Sequence, residues 1–265
     1  MLIWVASYPR SGNTLTRQIL KQCFGADSYS IYHPSDAPGP VASVTGHVAF
    51  DGTAEQLVAA ARESSAPWFV KTHRCEDVAE TDKAIHVVRD GRAAMISFRR
   101  FQRDFNGVDF PIEQFALGAE PLESWARIVQ WAFDRPSELT LTLRFEDLVA
   151  PDDGLLKRLS SFIGLPVQNA FDRSSFARLH KVQPKFFTSG KNEPGIEAME
   201  KACPALFWLV NGEMMRALDY TERSRHWSIY LVRDAMAEAG RCVNRLRHEI
   251  KLLQDPPSKT TIDFA

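Results

Sequence analysis

Short apolar runs alternate along the chain with longer segments in which apolar residues recur every three or four positions. The short runs predict buried β-strands at residues 2–7, 68–72, 84–88 and 139–145. The periodic segments predict α-helices at residues 14–24, 54–62, 92–103 and 122–133. Strands separated by helices are typical of an α/β fold, here a three-layer sandwich whose central parallel sheet carries helices on both faces.

Residues 29–52 interrupt this alternation, because they are rich in Pro, Gly and Ser and predict one long loop. A loop of this length often acts as an active-site lid. His33 and His47 lie within it, and each is either a second acid or base or, as the favoured alternative, a residue with no role in the chemistry.

The C-terminal region has its own periodicity. Apolar residues recur there at alternating spacings of three and four, a heptad pattern, at Ile229, Val232, Met236, Ala239, Val243, Leu246, Ile250 and Leu253. Polar residues such as Glu238 fall on the other faces. We predict one domain at residues 1–220, followed by a long C-terminal helical extension at 221–265. The extension either forms a homodimer as a coiled coil, which is the favoured alternative, or folds against its own domain.

Composition narrows the function classes. The 265 residues are 45% hydrophobic and 25% charged, as in ordinary globular proteins, and the formal net charge is -1. That balance provides no overall positive field for a nucleic acid or an anionic membrane. We expect a cytoplasmic protein without a membrane span, because no run of 18 apolar residues occurs and the apolar N-terminal run is too short for a signal peptide. The cysteines lack zinc spacing, so no metal site is expected.

The carboxyl ends of parallel strands are where ligands bind in such sheets, so the residues that follow each strand are the first candidates. The first predicted strand runs into the sequence S-Y-P-R-S-G-N-T at residues 7–14, here named the first loop, and a helix follows. Backbone N–H groups at a helix N-terminus, with Arg10 beside them, favour a phosphate-like anion. The alternative is a plain strand–turn–helix connection with Thr14 as the N-cap.

Two further strand exits carry candidate chemistry. Lys71 and His73 end the strand at 68–72, and because side chains alternate along a strand they face the same side. Arg89 leaves the strand at 84–88, and Ser97 lies two turns into the next helix. Arg89 and Ser97 could hold a second phosphate, or Arg89 could simply pair with Asp90 or another carboxylate.

These three exits together resemble the sulfotransferase family, which uses 3′-phosphoadenosine 5′-phosphosulfate (PAPS). The family's Y-P-K-S-G-T-T-W loop is similar to residues 8–15, its K-T-H strand end is similar to residues 71–73, and its Arg with a Ser eight residues later matches Arg89 and Ser97. Ser124 and Trp125 resemble the family's S-W pair, and residues 145–148 resemble its Y-E-D-L. The resemblance runs through residues 2–165, with a faint tail to about 195, and implies a P-loop-NTPase-like fold.

The chain departs from the family pattern at several positions. Arg10 replaces a Lys, Leu15 stands where a Trp often lies against adenine, and Phe145 replaces a Tyr. The family's late R-K-G element is poorly kept. Its nearest match includes Gly190 and Lys191, and Lys185 or Lys191 could supply the missing cation.

The resemblance implies transfer of a sulfuryl group from PAPS to a hydroxyl or amine of a small or medium organic acceptor, without a metal. It implies His73 as the general base, with Lys71 and Arg10 neutralising charge on the leaving group. The donor-binding residues that it implies are Arg10, Ser11, Gly12, Asn13, Thr14, Arg89, Ser97, Phe145, Gly190 and Lys191.

Two other functions remain alternatives. One is a P-loop-type nucleotide kinase or other phosphotransferase, which is disfavoured because the first loop lacks the G-K-[ST] sequence that binds β/γ-phosphates and magnesium. The other is a catalytically silent binding protein that assembles through the C-terminal helix.

The acceptor side is open to interpretation from the sequence. The aromatic residues near the third exit form either part of the core or an apolar cleft, namely Phe98, Phe101, Phe105, Trp125 and Trp131. The basic residues of the same region form either a solvated face or a contact for an anionic acceptor, namely Arg92, Arg99, Arg100 and Arg103.

Overall fold

Five parallel strands form one sheet in the computed structural model, which describes residues 1–32, 39–119, 122–172, 192–220, 236–241 and 243–244. The strands are β1 Leu2–Ser7, β2 Ser28–Ser30, β3 Trp68–Thr72, β4 Lys83–Val88 and β5 Thr140–Arg144. Their order across the sheet is β2-β3-β1-β4-β5. The predicted α/β architecture with a central parallel sheet is confirmed.

The strand register brings the three candidate exits to one edge of the sheet. Strand β1 lies at the centre, with β3 on one side and β4 on the other. Ala6 pairs with Thr72 of β3, and Ser7 pairs with Val87 of β4. The chain therefore leaves these three neighbouring strands at the same level, as the argument from strand ends predicts.

Helices cover both faces of the sheet. They are α1 Asn13–Phe24, α2 Gly39–Thr45, α3 Ala54–Glu63, α4 Gly91–Asn106, α5 Ile112–Leu117, α6 Trp125–Phe133, α7 Phe145–Val149, α8 Asp153–Ile163, α9 Glu193–Ala202 and α10 Pro204–Ala217, with a short 3-10 turn at Cys75–Asp77. Ile3 and Val5 of β1 pack with α1 and α8, whereas Leu2 and Trp4 pack with α3 on the other face. A further cluster joins α4, α5, α6, α9 and α10 beside the carboxyl end of β4.

Several element boundaries differ from the sequence-based prediction. The region 29–52 is not one loop, because it contains the end of β2 and all of α2. Strand β2 is only three residues long and pairs with β3 alone, so it leaves almost no alternation to detect. The helix predicted from residue 122 begins at Trp125, where the Ser124 side chain accepts a hydrogen bond from the Arg127 N–H. Helices α5, α8, α9 and α10 were not predicted, and Phe145 begins α7 instead of ending β5.

The described part of the C-terminal extension is helical at 236–241 and 243–244. Glu238, predicted on a polar face, is instead buried, and its Oε2 atom accepts from Cys203 Sγ at 3.2 Å and from the Leu206 N–H at 2.9 Å. Ala239 packs against the core, whereas Met236 and Val243 are exposed. This part of the helix therefore contacts its own domain. The remaining heptad residues lie outside the described residues, and the homodimer stays a prediction.

In the described ranges, no helix has both the length and the apolar character needed to cross a membrane.

Candidate active site

The first loop has a backbone that only certain residues can adopt. Gly12 is the N-cap of α1, with φ of 115°, and a Cβ atom there would lie 2.9 Å from a ring carbon of Phe145. Arg10 also has a positive φ, 67°. Helix α1 begins at Asn13, so the alternative in which Thr14 caps it is wrong. The loop therefore runs close to the core through its glycine, and Arg10 lies in a strained backbone conformation.

Some hydrogen-bond donors of the first loop stabilise the loop itself, whereas others suit a bound ligand. The Ser11 N–H closes a turn onto the Tyr8 carbonyl at 3.2 Å, and Asn13 Nδ2 donates to the Val5 carbonyl at 2.8 Å and to Ser7 Oγ at 3.3 Å. These groups brace the loop. By contrast, Ser11 Oγ is fully buried without a hydrogen-bond partner. The first N–H groups of an α-helix have no intrahelical acceptor. Together, these N–H groups and the buried hydroxyl suit an anion.

Arg89, from the third exit, reaches the first loop. Arg89 is 4% exposed, its Nη1 donates to the Arg10 carbonyl at 3.2 Å, and its Nε donates to Asn192 Oδ1 at 2.7 Å. The guanidinium also lies 4.2 Å from the centre of the Phe145 ring. Asp90 does not form the ion pair considered from the sequence, because it caps α4 and pairs with Arg92.

Arg10 joins the first and third exits. Its Nε lies 3.4 Å from Ser97 Oγ on α4, and its guanidinium lies 5.3 Å from the centre of the Phe101 ring. Burial, reinforced by the charge of Arg89, lowers the pKa of Arg10 to about 10, and burial lowers the pKa of Arg89 as well, although Glu146 opposes this. Arg89 is buried and Arg10 is half-buried, and two neighbouring cations in this setting would both be stabilised by a bound anion.

The second exit presents an oriented imidazole. His73 is half-buried, and its Nδ1 lies 2.8 Å from the carbonyl oxygen of Ser7. Since a carbonyl oxygen can only accept, Nδ1 carries the proton, and Nε2 is the acceptor nitrogen of the neutral ring. The hydrogen bond joins the ends of β1 and β3, so the orientation of the ring is set by the sheet itself.

Tyr32 contacts both candidate residues of the second exit. Its ring stacks on the His73 ring with centroids 5.7 Å apart, and Lys71 Nζ lies 5.2 Å from the Tyr32 centroid. The Tyr32 hydroxyl accepts a hydrogen bond from the backbone N–H of His73 at 2.8 Å. The alternation of side chains had predicted that Lys71 and His73 share one side, and both do lie against this ring.

Sequence reasoning missed three residues of the site. Tyr32 lies in the segment predicted to be a loop, and Asn192 directly follows Gly190 and Lys191, the residues that the resemblance singles out there. Glu146 was visible only as part of the Y-E-D-L resemblance. The signal for Glu146 was therefore present, whereas nothing in the local pattern marks Tyr32 or Asn192, since their contacts are with residues 41 and 103 positions away.

Other candidates have structural surroundings. Phe98 packs in the core against Tyr8, and Trp125 is buried, with its indole N–H donating to the Arg89 carbonyl at 3.1 Å. His47 Nδ1 lies 3.0 Å from the Nη2 atom of Arg17, which is on α1. Gly190, Lys191, Lys185 and His33 lie outside the described residues.

Most of the basic cluster on α4 is engaged in ion pairs. Arg92 pairs with Asp90 and Glu200, Arg99 pairs with Asp109, and Arg103 pairs with Asp104. These pairs favour the interpretation of a structural and solvated face. Among residues that the structure describes, no group of three or more His, Cys, Asp or Glu side chains could hold a metal ion.

Solved structures share this architecture. The mouse sulfotransferase SULT7A1, crystallised with adenosine 3′,5′-bisphosphate (PAP), is 17% identical, with a TM-score of 0.58 over 83% of this chain and 89% of that chain. A sulfotransferase domain from the curacin biosynthetic pathway is also 17% identical, with a TM-score of 0.50 over 83% of this chain and 97% of that chain. At this identity the likeness shows the fold.

Sequence comparisons assign the family. No curated protein matches this chain. The family model described as the sulfotransferase domain matches residues 2–201 of the 265. Since that match spans the sheet and all three strand exits, the chain belongs to the sulfotransferase family.

Proposed function

We propose that this protein transfers the sulfuryl group of PAPS to a hydroxyl or amine of a small or medium organic acceptor. The observation that carries the proposal is that Arg89 and Ser97 both contact Arg10 of the first loop. In the same loop, Ser11 Oγ is buried without a hydrogen-bond partner. Two positions for anionic groups on one edge of the sheet fit a nucleotide with phosphates at both the 5′ and 3′ positions. The PAP bound to the mouse enzyme is a nucleotide of this kind.

On the donor side, the first loop would hold the 5′-phosphosulfate, and Arg89 with Ser97 would hold the 3′-phosphate. The helix N-terminus and the hydroxyl of Ser11 supply neutral donors, whereas Arg10 supplies a fixed charge. Asn13 contributes through its N–H, because its side chain braces β1. Phe145, Gly190 and Lys191 complete the set of proposed donor-binding residues.

PAPS supplies an activated sulfuryl group whose transfer releases PAP. As the bond between sulfur and the phosphate oxygen breaks, that oxygen keeps the electron pair, and Arg10 and Lys71 would stabilise its charge. Transfer of this type needs little covalent chemistry from the protein and depends on positioning and charge stabilisation.

On the acceptor side, His73 would act as the general base. Its Nδ1 proton is committed to the Ser7 carbonyl, so Nε2 takes the proton from the acceptor as the new bond to sulfur forms. The imidazolium that results keeps its hydrogen bond to Ser7, so the ring does not have to reorient. Tyr32, stacked on His73 and against Lys71, keeps these two groups together.

Calorimetry with PAP, ATP and ADP tests the donor. We expect tight binding of PAP without magnesium and much weaker binding of ATP and ADP, with or without magnesium. Magnesium-dependent binding of ATP in preference to PAP would replace the proposal by a nucleotide phosphotransferase. Radiolabelled PAPS offered with a panel of simple phenols, alcohols and aryl amines then identifies the class of acceptor.

A further inference from the structure

A chain of hydrogen bonds runs behind Arg89 and away from the first loop. Arg89 Nε donates to Asn192 Oδ1 at 2.7 Å, and Asn192 Nδ2 donates to Glu146 Oε1 at 2.6 Å. The second carboxylate oxygen of Glu146 accepts from the Tyr220 hydroxyl at 2.9 Å. Arg144 covers the end of the chain, with its guanidinium 4.4 Å from the centre of the Tyr220 ring. Residues from three distant parts of the sequence therefore meet behind one guanidinium.

The chemistry of the chain fixes the orientation of the Asn192 amide. A guanidinium offers only donors, and an ionised carboxylate offers only acceptors. The amide lies between the two, so its oxygen must face Arg89 and its nitrogen must face Glu146. A flipped amide would place donor against donor at Arg89 and acceptor against acceptor at Glu146. Arg89 and Glu146 together therefore fix the amide, and Glu146 holds the Asn192 nitrogen on the side away from Arg89.

The orientation of Arg89 follows from that of Asn192. Its Nε is held by Asn192, its Nη1 by the Arg10 carbonyl, and its flat face by the Phe145 ring at 4.2 Å. Contacts at two separate nitrogens and on one face define both the position and the rotation of a planar group. Arg89 as a whole is also 4% exposed, so solvent contributes little to the orientation of its side chain.

We infer that Glu146, Asn192 and Tyr220 are positioning residues that set the preference for a 3′-phosphorylated nucleotide. They do not contact the nucleotide, but hold the guanidinium that does. The inference rests on the proposed function, since it assumes that Arg89 binds the 3′-phosphate. It adds that the discrimination depends on Asn192, on its carboxylate partner and on the phenol that bonds to that carboxylate.

The test is the ratio of the affinities for PAP and for adenosine 5′-phosphate (AMP), which lacks the 3′-phosphate. We measure it by calorimetry on the wild-type chain and on Asn192→Ala. We expect the ratio to fall roughly tenfold in the variant, mainly through weaker PAP binding, because a hydrogen bond to a charged group has been removed. The midpoint of thermal unfolding is measured alongside, and Glu197→Gln, on the exposed side of α9, serves as the control with an unchanged ratio.

Two substitutions at other links separate positioning from a merely structural role. Glu146→Gln keeps an acceptor oxygen for Asn192 and should retain most of the ratio, whereas Glu146→Leu should lose about as much as Asn192→Ala. Tyr220→Phe keeps the ring against Arg144, removes one hydrogen bond and should reduce the ratio only about two- to threefold. It serves as a mild variant if Asn192→Ala fails to fold.

The outcomes are distinguishable. If the wild-type chain binds PAP and AMP equally, the proposed function fails and this inference fails with it. If the wild type prefers PAP and both Asn192→Ala and Glu146→Leu keep that preference, the inference alone is overturned. A loss of affinity for both nucleotides by the same factor would also overturn it, because that result would mark a structural role.

Discussion

The two sides of the site are built differently. On the proposed donor side, Arg89 is buried and held at two nitrogens by the Arg10 carbonyl and the Asn192 amide. On the proposed acceptor side, Lys71 and His73 are only half-buried and lie against the single ring of Tyr32. The difference fits the proposed reaction, in which the donor is always the same molecule, whereas the acceptor has to reach a base and lose a proton to it.

Burial explains why the donor side needs its scaffold. A buried cation is costly unless it is hydrogen-bonded and close to a negative charge. Arg89 has a carbonyl and an amide, with Glu146 one residue beyond. The acceptor side avoids this cost by keeping its groups near solvent. Changes on the donor side should therefore alter binding, and changes on the acceptor side should alter turnover.

The largest expected effect is the loss of the proposed general base, His73. His73→Ala should lower kcat by about 10²–10⁴, the usual contribution of general-base catalysis, while the affinity for PAP stays within about twofold. The measurement pairs sulfuryl transfer from radiolabelled PAPS to the best acceptor of the phenol, alcohol and amine panel with calorimetry of PAP.

His73→Asn sharpens this test. The Asn amide can still donate to the Ser7 carbonyl, as Nδ1 does, but it has no nitrogen that could take a proton. We expect kcat as low as in His73→Ala. Turnover near that of the wild type in His73→Asn would mean that His73 serves only to join β1 and β3.

The second effect concerns Gly12 on the donor side. Gly12→Ala should cost about 2–3 kcal/mol of stability, from the backbone strain at φ of 115° and the contact of the new Cβ with Phe145. It should also weaken PAP and AMP by similar factors, because the first loop would hold the phosphate that both share. Urea unfolding and calorimetry measure the two effects.

Gly107→Ala is the matched control. Gly107 has φ of 70°, but a Cβ there meets no atom within 4 Å. It should lose only about 1 kcal/mol and keep its nucleotide affinities. Equal losses of stability in the two variants would show that the close approach of Phe145 does not explain the glycine at position 12.

The sequence predicted the framework of the site better than its details. Strands β1, β3 and β4 carry enough local apolar pattern to be recognised, and parallel packing then places Arg10, His73 and Arg89 at one edge. These predictions depend on the apolar pattern of each strand, which the sequence displays directly, and on the general rule that parallel strands end at one edge of their sheet.

The residues that hold the site together could not be predicted in the same way. Asn192 and Tyr220 are connected to Glu146 across 46 and 74 positions, and no local pattern records such a pairing. Glu238 was misplaced for the same reason, since a heptad pattern cannot show that one carboxylate bonds to a distant helix start. Polar contacts over long separations depend on how packed elements meet.

A buried imidazole gives a contrast to His73. His86 on β4 is 1% exposed, and burial lowers its pKa to about 3. In the unfolded chain a histidine has a pKa near ~6.5, so acid favours unfolding by protonating it there. The stability is therefore fully present above pH ~6.5 and falls as pH drops towards 3, by up to about 1.4 kcal/mol per pH unit. Urea unfolding of wild type and His86→Gln between these pH values should show one proton fewer taken up by the variant. An identical pH dependence in both would contradict this account of His86.

The smallest effect is expected at Tyr32. Tyr32→Phe keeps the ring against His73 and Lys71 but removes the hydroxyl that accepts a hydrogen bond from the backbone N–H of His73. We expect kcat to fall about three- to tenfold, the effect of one neutral hydrogen bond, with PAP affinity unchanged. A fall in PAP affinity without a fall in kcat would move Tyr32 to the donor side.

The central claim is that two strand exits hold two different anionic groups of one nucleotide. The most direct test is calorimetry of PAP and AMP on Arg89→Ala and on the wild-type chain. We expect Arg89→Ala to weaken PAP roughly 10–100-fold and to leave AMP within about twofold, because only the 3′-phosphate would contact this guanidinium. An equal loss for both nucleotides, or none for either, would contradict the account.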